Sequence, residues 1–104
     1  MKLLHDHTYE VELVFTPLKG FAEKALDRGL ADALYDAGAP VDDVGVYKDL
    51  GNDTLSVRIL LTVDRRAGVD GAKLDAAIVD ACAANHAEAE EVGEYVPLED
   101  DDGE

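Results

Sequence analysis

Leu55, Val57, Ile59, Leu61 and Val63 alternate with Ser56, Arg58, Leu60, Thr62 and Asp64. A period of two over this span admits an extended strand with one buried face and excludes a helix. The same rhythm runs through residues 8–16, where Tyr9, Val11, Leu13 and Phe15 alternate with mostly polar neighbours until Pro17 closes the run. Each of these strands is followed by a stretch with the helical period. Phe21, Ala22, Ala25, Leu26, Gly29, Leu30, Ala33, Leu34 and Ala37 draw one apolar stripe, and Gly38-Ala39-Pro40 stops it. Leu74, Ala77, Ile78, Ala81 and Cys82 draw a second stripe over residues 71–85, with Asp70 as its N-cap.

Two weaker strands complete the order. Val44 and Val46 mark one that runs to Lys48, ahead of a turn at Asp49-Leu50-Gly51-Asn52-Asp53. Val92, Val96 and Leu98 fall on one side of the other. Strand, helix, strand, strand, helix, strand is the order of the split βαβ, so the predicted fold is α+β. It is a ferredoxin-like βαββαβ plait: a four-stranded antiparallel sheet in the order 4-1-3-2, with two helices on one face. Residues 1–98 form its single domain, and the charge run at 99–104 is expected to be a disordered acidic tail. No internal repeat is expected.

Charge narrows the setting. The 104 residues carry 24 acids against nine bases, a net charge of −15. Leu, Ile, Val and Phe still make up about 27% of the chain, above the range of disordered sequences. Aspartate outnumbers glutamate 15 to nine, alanine occurs 15 times and lysine only five. That composition resembles cytoplasmic proteins that work in molar salt. At about 1 M the Debye length is roughly 3 Å, which mutes self-repulsion, and strong salt favours apolar burial. The acids fall on nearly every predicted element, the pattern of a solvated surface more than of one face shaped for a basic partner. Nucleic acid is excluded as a partner, because phosphate contacts need a basic patch and the only clustered bases are Arg65 and Arg66. No run of 18 apolar residues exists, and Met1–Asp6 is too short and polar for a signal peptide, so a cytoplasmic protein without a membrane partner is expected.

Residues able to carry chemistry are few. His5 and His7 point the same way on an extended chain and approach Asp64, but a metal site needs three or four ligands, and His86 belongs to the opposite end. Solvated histidines are expected, with no metal and no cofactor. Cys82 lies on the apolar stripe of the second helix, which makes it a structural thiol, and Ser56 has no histidine neighbour. Neither GxGxxG nor GxxxxGK[ST] occurs. No catalytic residue is assigned.

The uncovered sheet face is the remaining candidate. Glu10, Glu12 and Val14 on the first strand and Ser56, Arg58, Leu60 and Thr62 on the third are expected there, with Tyr47 and Tyr95 on the flanking strands. Val14 and Leu60 would form an apolar centre, with Arg58 opposite Glu10 or Glu12. RNA-recognition domains sharing this plait stack bases on aromatics of the first and third strands. Here those places hold Glu10, Glu12, Ser56 and Arg58, so the similarity stops at the fold. The loop Thr16-Pro17-Leu18-Lys19-Gly20 likewise lacks the CxxC of plait-fold metallochaperones and the phosphate-binding arginine of acylphosphatases. The resulting expectation is a non-enzymatic domain that acts by association, as a homodimer. Its alternatives are a regulatory domain whose small-molecule ligand touches Arg58, Tyr47 or Tyr95, and a small dimeric enzyme with a cavity between two sheets.

Overall fold

A computed structural model describes residues 3–4, 7–63 and 68–98. In chain order it contains β1 (Leu3–Leu4), β2 (His7–Pro17), α1 (Glu23–Ala37), β3 (Val41–Val44), β4 (Lys48–Gly51), β5 (Thr54–Val63), β6 (Val69–Asp70), α2 (Gly71–Ala84), β7 (Ala87–Val92) and β8 (Val96–Pro97). The protein is α+β, with two helices and a mostly antiparallel sheet of six strands, an arrangement compatible with a plait. The strands β3-β5-β2-β7 lie side by side; β4 also pairs with β5, and β8 with β2. A separate two-stranded ribbon joins β1 to β6. The tail at 99–104 lies outside the described residues.

The two long alternating strands lie at the centre, antiparallel, with His7 opposite Val63 and Phe15 opposite Leu55. Their inward residues Val11, Leu13, Phe15, Val57, Ile59 and Leu61 are buried. The helices cover that side. Leu26, Leu30 and Leu34 recur every four residues on α1, and Leu74, Ile78 and Cys82 do so on α2, so each apolar stripe meets the sheet. The helices touch through small residues: a Cβ at Gly29 would collide with the side chain of Asn85 and come close to Ala81. Gly38 ends α1 in the left-handed region, with φ of 99°. The Asp70 carboxylate accepts from the Ala72 N–H at 3.0 Å and caps α2.

Both weaker strands differ from expectation in the same way. The second begins at Val41 and breaks after Val44 before pairing resumes at Lys48; the fourth begins at Ala87 and breaks after Val92 before resuming at Val96. In each gap a glycine N–H reaches back to the central strand, Gly45 to the Arg58 carbonyl and Gly93 to the Glu12 carbonyl, both at 2.8 Å. The break changes the parity of the residues beyond it, because a shift of one residue sends side chains to the opposite face. Val92 stays inward opposite Leu13, whereas Val96 lies opposite Glu10 on the open face. The expected single side for Val92 and Val96 is therefore corrected. The absence of a repeat is corrected as well: Val44-Gly45-Val46-Tyr47 returns 48 positions later as Val92-Gly93-Glu94-Tyr95.

Candidate functional site

The open face of the sheet is built by β2 and β5. Val14 lies opposite Ser56, Glu12 opposite Arg58, and Glu10 opposite Leu60. Val14 and Leu60 thus share the face but do not touch across the strands, since Leu60 stands four residues, about 13 Å of strand, beyond Ser56. The polar pair Glu12–Arg58 occupies the space between them. The guanidinium of Arg58 comes 3.9 Å from the Glu10 carboxylate, and its side chain is 68% exposed. A cation so solvated contributes at most about 1 kcal/mol through this contact.

The rest of the face is acidic. Glu88 and Glu91 align with Thr16 and Val14, and Asp43 with Leu60. The Thr62 hydroxyl donates to Asp42 at 2.5 Å, and the Thr16 hydroxyl donates to Glu90 at 2.8 Å. With Glu10, Glu12 and Glu94 this makes, among the described residues, eight carboxylates against two cations, Arg58 and Lys48 (opposite Ser56). The cleft beside Arg58, lined by Glu10, Glu12, Gly93, Glu94 and Val96, holds about 210 Å³. Small-molecule pockets usually begin near 300 Å³ and are mostly apolar, so this cleft has the size and chemistry of a surface contact.

Tyr47 and Tyr95 lie on the other side, with the helices. Tyr47 packs edge-on to Phe15, with ring centroids 5.9 Å apart, and its hydroxyl donates to Asp27 of α1 at 2.5 Å. Tyr95 is buried, and its hydroxyl donates to Asp75 of α2 at 2.8 Å. Burial, followed by the hydrogen bond to the carboxylate and its negative charge, raises both phenols well above the ordinary tyrosine value. Each is held neutral as a donor, which suits it to tie strand to helix and unsuits it to act as a base. The structure brings Val14, Arg58 and Leu60 to one face and separates them from both tyrosines. Sequence periodicity missed these ties because it says nothing about the Gly45 and Gly93 breaks that turn the tyrosines inward; the repeated V-G-x-Y was the available signal.

The remaining reactive groups are engaged or isolated. The His7 ring bonds the Leu98 carbonyl at 2.6 Å. His5 and Asp64 lie outside the described residues. His86, with φ of 60°, sits over Gly20 at the opposite end of β2. Among the described residues no three of His, Cys, Asp and Glu gather as metal ligands. Cys82 is fully buried, and burial pushes its thiol up to about 11. No helix among the described residues is long and apolar enough to cross a membrane. In comparisons with known proteins, no family model, no curated protein and no solved structure matches this chain.

Proposed function

We propose that this protein works by association and without catalysis, as a salt-adapted ferredoxin-like plait whose open sheet face meets a second copy of itself. Support for the plait comes from the order β7-β2-β5-β3, which equals 4-1-3-2 when β4 and β8 are counted as continuations of β3 and β7. The observation that carries the association is the centre of the open face. There Arg58 stands beside Glu10 and opposite Glu12, with no described element over it. A twofold axis close to this point would bring Arg58 of each copy to the glutamates of the other, a self-complementary contact. Val14 and Leu60 would flank those ion pairs with apolar surface. The remaining acids would lie at the rim, where their repulsion is tolerable only when salt screens it. A cytoplasm at molar salt is the setting that fits this charge.

Light scattering across a concentration series, at 0.15 M and at 3 M KCl, tests the reading. A dimer is expected in molar salt, weakening as the salt is lowered. Arg58→Glu removes the self-complementary cation from an exposed position and should leave a folded monomer; Leu60→Asp should act likewise. A wild-type monomer at every concentration in 3 M KCl refutes the dimer. The acidic excess on the face supports a second reading, a cationic protein partner. Binding of a basic peptide that weakens steadily with salt would favour it over self-association.

A further inference from the structure

The two halves of the chain make the same contacts one after the other. Residues of β2 map onto β5 with an offset of 46, and everything from Gly20 to Leu50 maps onto Gly68 to Leu98 with an offset of 48; the second connection is two residues longer. Thr8, Val11 and Thr16 recur as Thr54, Val57 and Thr62; Leu26, Asp27, Asp32 and Ala33 recur as Leu74, Asp75, Asp80 and Ala81. The structural correspondence is closer than the residue identities. Val44, Asp43 and Val41 pair with Ile59, Leu60 and Leu61, and their counterparts Val92, Glu91 and Ala89 pair with Leu13, Val14 and Phe15. Asp42 and Glu90 are the bulged residues of the two ladders, and each accepts from the matching threonine, Thr62 or Thr16. The Gly45 and Gly93 amides bond matching carbonyls, and Tyr47–Asp27 repeats as Tyr95–Asp75. Gly20 and Gly68 both have positive φ, 94° and 88°.

We infer that the chain is a fused dimer: one βαβ unit, residues 8–50, bound through its strand and helix to a second copy of itself, residues 54–98. The surface concerned is the seam between the halves, β2 against β5 and α1 against α2, and the partner it fits is another such unit. Chance resemblance between two sheet edges would not reproduce a bulge, its threonine tie, a glycine amide bond and a tyrosine–aspartate tie at fixed offsets.

The seam also shows what fusion changed. The offset of 46 combined with the β2–β5 register puts the pseudo-twofold axis between Glu12 and Arg58. In a symmetric dimer a residue on the axis faces its own copy, and like charges directly opposite one another are destabilising. One chain carrying both copies can place opposite charges there, and this one does.

Matched substitutions in the full chain test the inference. Tyr47→Phe with Tyr95→Phe, Thr62→Val with Thr16→Val, and Gly45→Ala with Gly93→Ala should each shift the melting temperature by similar amounts within a pair. For the glycines the expectation is sharp, since an added Cβ would meet a carbonyl oxygen at 3.3 Å in one half and 3.2 Å in the other. Pairs in which one member is neutral and the other costs several degrees overturn the equivalence. A second variant tests the seam itself: residues 54–98 are replaced by a second copy of residues 8–50, with Glu12→Thr in both copies to keep the axis neutral. A folded chain showing close to one set of amide signals per unit is expected. A chain that stays unfolded in 3 M KCl, where the parent folds, overturns the fused-dimer reading whatever the matched pairs show.

Discussion

The Tyr95 hydroxyl donates to Asp75 Oδ1 at 2.8 Å, tying the break between β7 and β8 to the first turns of α2. Twenty residues separate donor and acceptor, as they do in Tyr47–Asp27. In both cases a chain that has just left the sheet edge is held against a helix by one phenol. Removing either hydroxyl should cost about 1.5–3 kcal/mol, the usual worth of a hydrogen bond to a charged acceptor. For a domain of this size each kcal/mol corresponds to roughly 4–8 °C. Chemical denaturation of Tyr95→Phe in molar KCl checks the value, and an unchanged midpoint would mean the tie is solvent-replaceable.

Alkaline pH should unfold the protein through these phenols. Their folded-state values are raised, so the unfolded chain gives up its protons first. The stability they contribute is complete below the ordinary tyrosine value of 10.0 and is lost as pH rises beyond it. Melting temperature should therefore fall steeply above about pH 10. The Tyr47→Phe/Tyr95→Phe chain should start less stable but show a shallower fall. Parallel pH profiles for the two proteins would contradict the assignment.

Cys82 should be unreactive in the native state. It is fully buried on α2, and its thiol is pushed from 9.0 to about 11, so little thiolate exists at pH 8. Labelling by a thiol reagent in 3 M KCl should follow the rate or population of unfolding and rise abruptly in denaturant. Rapid stoichiometric labelling under native conditions would place the thiol near the surface instead.

Salt should stabilise the fold. Asp42-Asp43 and Glu90-Glu91 lie on opposite sheet edges, and among the described residues acids on the open face outnumber cations eight to two. At 0.1 M salt the Debye length is about 10 Å, so adjacent carboxylates still repel; at 1 M it is about 3 Å. The unfolding midpoint should climb up to about 1 M KCl, and sulfate should exceed chloride at matched ionic strength by strengthening apolar burial. A midpoint flat from 0.05 to 3 M KCl would show that the acids do not strain the fold.

The same acids, set on edge strands, also bear on aggregation, because a charged edge discourages strand addition. Lowering the pH into the carboxylate range in low salt should therefore promote aggregation, measured as turbidity. Solubility that holds there would mean the edges are blocked by something other than charge.

Much of this architecture is set by local periodicity. A period of two in Tyr9–Phe15 and Leu55–Val63, and of 3.6 in the helical stripes, assigns type and inward face because each pattern can bury its apolar side in one conformation only. The Asp70 cap, the Gly38 stop and the burial of Cys82 obey the same local rules. What periodicity does not carry is register. Which residue of β2 meets which of β5 is decided by the whole sheet, and it separates Val14 from Leu60 and pairs Glu12 with Arg58. The breaks at Gly45 and Gly93 depend on a backbone amide finding a carbonyl of the central strand, a contact between segments distant in sequence. Those two bonds reverse the facing of the residues beyond them, sending Tyr47 and Tyr95 under the helices and Val96 into the open. Side-chain alternation is local, but the hydrogen bonds that set its phase are tertiary. The identities of the elements therefore belonged to the sequence, and the composition of the faces to the assembled sheet.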